Sequence, residues 1–277
     1  MFAFLKKWLR RRMLHASHVT PEQWARAEAH MPFLARLDGA ERRRLHELAL
    51  QFLSEKALQS AAGFSLSNEA RLTIALQAVL PILNLGLDWY EGWVEVVVYP
   101  GEFIVPRSFM DEDGVVHEYA DVLAGEAWEG GPVILSWPEE GDTAAGVNVV
   151  IHEFVHKLDM RNGTPRGQPP LHAGMSRTEW ARDFSAAFAA INAQLDNGEE
   201  TALDPYAAEH PAEFFAVASE AFFVDPARLK AAYAAVYRHL AAFYRQEPLP
   251  LSPNVLPAGE QDADSLCENC VKPDGGE

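Results

Sequence analysis

Cysteine is almost absent from this chain: two in 277 residues, Cys267 and Cys270, both close to the C-terminus. One adjacent pair cannot form a disulfide framework, so the expected setting is reducing and cytoplasmic. The pair reads Cys-Glu-Asn-Cys. It lacks the second pair of a structural zinc site and the strand-to-helix setting of a redox motif, and is read as two thiols in an acidic tail. Long apolar runs are missing too. No stretch of about 18 uncharged apolar residues occurs, and no transmembrane segment is expected. Positive charge is scarce, with 23 Lys and Arg against 40 Asp and Glu and a formal net charge of −17. Such a surface repels a phosphate backbone, which excludes direct nonspecific nucleic-acid binding as the main activity. What is present, 48% hydrophobic and 23% charged residues, is the composition of a globular chain long enough for a sizeable core.

The basic residues gather at the start. Phe4, Leu5, Trp8 and Leu9 share one helical face, with Lys6, Lys7, Arg10, Arg11 and Arg12 around it. The charges follow the apolar residues and no cleavage site comes after, so the segment is not a signal peptide. It is read as a terminal helix, packed or frayed, with the composition to touch an anionic membrane or a partner. The chain divides into this segment (1–19), one domain (20–250) and an acidic, disordered tail (251–277) rich in Pro, Asp, Gly and Glu.

Within the domain, Thr20-Pro21 marks a helix start. Leu45, Leu48, Ala49, Phe52 and Leu53 recur at helical spacing. Residues 69–85 are apolar enough for a buried helix, with Pro81 as a kink. Stretches 92–100, 103–105, 115–123 and 132–137 are short, β-branched and bounded by breakers, the signature of strands. Asp111-Glu112-Asp113-Gly114 is a turn, since the rest of a calcium loop is missing, and Glu139-Glu140-Gly141-Asp142 is another. Residues 161–170 form a Gly/Pro-rich loop long enough for a functional role. Helices return at 177–195, with Trp180, Phe184, Phe188 and Ile191 as inner face, at 212–223, and as one helix at 226–245.

Between the strands and these helices stands Val149-Val150-Ile151-His152-Glu153-Phe154-Val155-His156-Lys157-Leu158-Asp159. A helix turns about 100° per residue, so His152 and His156 project from one face, one above the other. Two imidazoles so placed can grip one zinc ion while Glu153 works on a water beside it. A catalytic site needs a third protein ligand. Downstream candidates are Asp159, His172, Glu209, His210, Glu213, Glu220 and Asp225. Asp159 is better placed to orient an imidazole than to bind the ion. On the apolar 212–223 helix, Glu213 and Glu220 are seven apart on one face, and spacing alone leaves the ligand open between them.

His152 to Gly163, followed by Tyr206-Ala-Ala-Glu-His-Pro-Ala-Glu-Phe-Phe-Ala-Val-Ala-Ser-Glu220, closely resembles the Mlc titration factor A family of zinc peptidases. Gly86-Leu87-Asp88-Trp89, Val97-Val98-Tyr99-Pro100, Gly131-Pro132-Val133-Ile134-Leu135-Ser136-Trp137 and Phe243-Tyr244-Arg245-Gln246-Glu247-Pro248-Leu249 carry the same likeness, which spans roughly residues 40–250. The resemblance implies an α+β fold of the zincin type, mostly helical, with a small mixed β-sheet beside the His-Glu-x-x-His helix. Its site would be similar to that of the anthrax lethal factor protease domain. It further implies Zn2+ held by His152, His156 and Glu213, with Glu153 as catalytic base, Tyr206 supporting the transition state and Glu220 behind the ligands. Aminopeptidase activity on small peptides is implied as well, as is binding to Mlc, a repressor of glucose-uptake genes. By zincin likeness, residues 133–137 are the strand expected to hold substrate.

Overall fold

The computed structural model describes residues 19–110, 116–137 and 148–249. The basic N-terminal segment, the 111–114 and 139–142 turns and the Cys267/Cys270 tail lie outside them. The first helix, α1 (Pro21–Glu28), begins in a reciprocal cap. Gln23 N donates to Thr20 Oγ1 and Thr20 N donates to Gln23 Oε1, satisfying two helix-end donors at once. Asp38 and Glu41 repeat the device at α2 (Gly39–Glu55). The short strand β1 (Ala57–Ser60) follows, then α3 (Asn68–Val79). Nine of the twelve residues of α3 are buried, as expected for a helix that is apolar over most of its surface. Pro81 ends this helix rather than kinking it, because its ring and missing N–H stop the ladder a turn early.

Next come β2 (Glu95–Tyr99), β3 (Phe103–Met110), β4 (Val116–Leu123), β5 (Gly125–Ala127) and β6 (Val133–Ser136). β3 and β4 pair as an antiparallel ribbon. The other four form one sheet in the order β1-β2-β6-β5, with β1, β2 and β6 parallel and β5 antiparallel. Val96, Val98, Val133 and Leu135 are fully buried, the alternate residues of two central strands turned toward one helical layer. Since β6 is hydrogen-bonded to β2 on one side and β5 on the other, residues 133–137 have no free edge. The expectation that they hold substrate is corrected: among the described residues, the strand at that end of the sheet is β5.

The helical half comprises α4 (Val149–Asp159), α5 (Arg177–Asp196), α6 (Pro211–Val224), α7 (Pro226–Ala232) and α8 (Ala234–Tyr244). Residues 226–245 are thus two helices, broken at Tyr233, whose ring packs edge-on against Phe214. Here tertiary packing overrides helical propensity. No helix of the described residues is long and apolar enough to cross a membrane.

α4 lies between β5 and β6 on one side and α6 on the other. Its back face is fixed by Phe154, whose ring meets Phe52 and Tyr90 at 5.4 Å and Trp93 at 5.8 Å between centroids. Two residues away on either side, the imidazoles face the opposite way. Lys157 is buried and donates to the carbonyls of Trp128 (2.6 Å) and Gly131 (3.0 Å), pinning the turn between β5 and β6 onto α4. At the end of α4, Asp159 accepts the backbone N–H groups of Arg166, Gly167 and Gln168 at 2.6–2.8 Å. The Gly/Pro-rich loop is therefore tied down at residues 166–168. Gly167 has φ +71°, and a Cβ there would sit 2.3 Å from the Pro211 carbonyl oxygen at the start of α6.

Candidate metal centre

The side chain of Asn148 caps α4 by accepting from Ile151 N at 2.9 Å. One turn in, His152 and His156 present their Nε2 atoms 3.2 Å apart. Glu213, in the first turn of α6, brings Oε2 to 3.1 Å from the first and 3.2 Å from the second. Three donors from two helices thus converge on one point. Bonds of 2.0–2.1 Å at tetrahedral angles place ligand atoms about 3.3 Å apart, so this donor set fits a zinc-sized cation without rearrangement. Both imidazoles and Glu153 are more than nine-tenths buried, where a metal accounts for polar groups otherwise costly to bury.

Of the remaining ligand candidates Glu209 is exposed, and the others are occupied elsewhere. Glu220 accepts from Asn148 N at 2.5 Å and lies 3.6 Å from Nδ1 of His152, behind the imidazole rather than before it. It links the start of α4 to α6 and orients His152, the arrangement by which carboxylates steady metal-ligating imidazoles. His172 meets the Phe243 carbonyl, His210 Nδ1 accepts from Ala212 N to cap α6, and Asp225 caps α7. Asp159, expected to orient an imidazole, spends its oxygens on the loop instead. His156 Nδ1 is buried with no hydrogen-bond partner among the described residues. Tyr206 sits on the turn before α6, its N–H bonded to Asp204 and its ring 5.9 Å from that of His152.

Charge in the site is strongly coupled. Burial alone would lower the His152 imidazole, but the carboxylates of Glu213 and Glu220 push it up to about 10. Burial likewise would raise Glu213, but hydrogen bonds from His152 and His156 hold it well below the usual carboxylate range. Burial pushes the Glu153 carboxyl up against the pull of both imidazoles, which suits a group that must accept a proton. In the metal-free protein the Glu213 and Glu220 carboxylates favour the protonated His152 imidazole, and that proton must leave before the nitrogen can ligate. Apparent metal affinity is therefore expected to rise about tenfold per pH unit between pH 6 and 8. Chelator competition across that range measures it, and a pH-independent affinity would contradict the assignment of His152.

One further residue, unmarked in the sequence, shapes the site. A Cβ on Gly125 of β5 would lie 2.5 Å from Oε1, 2.6 Å from Cγ and 2.8 Å from Cδ of Glu153. Glu153 thus rests directly on the strand backbone. The sequence offered no signal for it: Gly125 falls just past the 115–123 stretch, and only its place in β5 shows the close approach that glycine permits. Gly125→Ala is expected to keep the fold and the metal content but swing the Glu153 carboxylate aside. Hydrolytic turnover should then fall about a hundredfold, as a misplacement near 1 Å does elsewhere. Metal analysis beside single-turnover kinetics tests this, and unchanged turnover would refute it.

The sequence model of the glucose-regulated metallo-peptidase M90 family matches residues 5–245. Mlc titration factor A from Yersinia pestis (strain Pestoides F) is 40% identical over 232 residues, covering 82% of this chain and 85% of that protein. The protein of the same name from Yersinia pseudotuberculosis serotype O:1b (strain IP 31758) matches to the same extent.

Proposed function

Because this chain belongs to the glucose-regulated metallo-peptidase M90 family, together with the Mlc titration factor A proteins, we propose that it hydrolyses peptide bonds with the help of Zn2+ held by His152, His156 and Glu213. The observation that carries this reading is the meeting of two Nε2 atoms and one carboxylate oxygen at 3.1–3.2 Å, with a buried carboxylate, Glu153, on the same helix. Two His and one carboxylate leave a coordination position open, as catalysis requires; structural zinc is normally closed by four protein ligands.

When bound, zinc supplies Lewis acidity: it acidifies a water to near neutral pH and polarises the scissile carbonyl. Glu153 takes the water's proton and returns it to the departing amine. Tyr206 donates its hydroxyl to the carbonyl oxygen as negative charge grows there. The outer edge of β5 holds the substrate backbone as an added strand, which lays the peptide across Gly125, against Glu153. Glu220 keeps His152 aligned.

Family likeness supports an aminopeptidase acting on short peptides with a free amino end, and the scarcity of cysteine supports a reducing, cytoplasmic setting. The name of the relatives, Mlc titration factor A, also supports a second role, binding of the repressor Mlc, through which this chain would regulate sugar uptake. The domain at 20–250 carries the peptidase reading; 1–19 and 251–277 flank it. Cleavage of a peptide library, stopped by a chelator and restored by zinc, tests the central claim. N-acetylation of the same peptides tests the aminopeptidase: it should abolish cleavage. A pull-down with Mlc, using Glu153→Gln, separates binding from hydrolysis.

A further inference from the structure

Beside the donor triad is a cavity of about 360 Å³. One wall is a stripe of α6, Val217, Ala221 and Val224, spaced to fall on one helical face. Leu203 and Tyr206 face it, Leu123 to Gly125 close one end, and Val149, His152 and Glu153 form the side toward the metal centre. Most of α6 is buried in the core, but Ala221 and Val224 are only half-buried. Among the described residues, this end of the strip is only partly covered.

We propose that this cavity receives the side chain of the substrate residue whose amine departs, and that it selects a large apolar side chain at that position. The inference rests on the peptidase reading and adds the substrate class. Position argues first. The cavity is lined by His152 and Glu153 but not by His156 or Glu213, so it opens to one side of the triad. Glu153 must come within hydrogen-bond reach of the departing nitrogen to protonate it. The Cα bearing the next side chain is bonded to that nitrogen, so the side chain enters the space bordering Glu153.

Chemistry argues second. The polar groups around the cavity already have partners. Glu220 holds Asn148 N, Asp204 holds Tyr206 N, Asp225 holds Arg228 N, and Arg228 Nη2 donates to the Thr201 carbonyl. Four carboxylates, of Glu153, Asp204, Glu220 and Asp225, against the one guanidinium of Arg228 disfavour an acidic side chain. The volume lies at the small end of ligand pockets, suited to one side chain and not to a folded partner.

The test uses zinc-loaded full-length protein and peptides that differ only in the residue after the cleaved bond. Leu or Phe there is expected to be cleaved at least about thirtyfold more efficiently than Gly, by kcat/KM. Ala221→Trp and Val224→Trp, which fill the cavity from two points, are expected to collapse that ratio toward unity. A ratio near unity in the wild type, a preference for Asp or Glu, or a ratio that neither filling changes would overturn the proposal. Binding of leucinamide, an amine carrying the same side chain, is followed in parallel by calorimetry and should weaken at least tenfold in both filled variants. If no peptide is cleaved, the peptidase reading fails. Leucinamide then still decides the cavity: binding that filling weakens supports it, and no binding overturns it.

Discussion

Glu153→Gln is expected to keep its metal and lose peptide hydrolysis by about a hundred- to ten-thousandfold, the range that a positioned base contributes. Glutamine has the same length and shape, so it can lie on the Gly125 backbone as glutamate does, but its amide cannot accept and return the proton. The remaining site is untouched, because Glu153 is not among the three converging donors. Metal content measured beside turnover therefore separates loss of the base from loss of the site. Normal turnover on any peptide would remove Glu153 from its role. The contrast with Gly125→Ala is informative: one variant keeps the carboxylate and moves it, the other keeps the position and removes the carboxylate.

Glu213→Ala is expected to lose the metal itself, and with it all hydrolysis. The two imidazoles come from one helix, and only Glu213 brings the ligand set across to α6. With two donors left, the ion has no third protein ligand to close the site. After dialysis, metal analysis should find the variant essentially empty and the wild type with about one ion per chain. Glu220→Gln should behave differently. Its carboxylate sits behind His152, so its loss should weaken metal affinity about ten- to a hundredfold without emptying the site. Full occupancy in Glu213→Ala would transfer the third ligand to another carboxylate. Equal losses in both variants would erase the distinction between binding and orienting.

The donors on α4 were legible because a helix has a fixed period: His152 and His156 fall on one face whatever surrounds them. Choosing Glu213 over Glu220 was not a matter of period, since both lie on one face of α6. It depends on how α6 crosses α4, which is set by the Asn148–Glu220 bond and by the loop beneath, contacts distant in sequence. The helix start at Thr20 was local and could be read. Strand β5 could not: three residues carry no periodicity, and their placement depends on pairing with β6. The mistaken choice of residues 133–137 as the substrate strand has the same origin. Their apolar, β-branched run signals burial on both faces, and strands so buried are the ones with neighbours on both edges. Asp159 also looked like an imidazole's partner by spacing alone, and only the folded loop shows which donors reach it first.

That loop has a further consequence. Asp159 gathers three successive main-chain amides, Gly167 abuts the Pro211 carbonyl, and Trp180 Nε1 donates to the Gly167 carbonyl at 2.9 Å. Backbone alone, wedged like a shim, sets the gap between the two ligand-bearing helices. Surface connections usually absorb insertions; this one has a gauge to keep. Side chains at 164–166 can drift freely in kind, but an added or deleted residue would reset the spacing of α4 and α6. The ability to hold an ion is thereby tied to the length of a segment that never touches it.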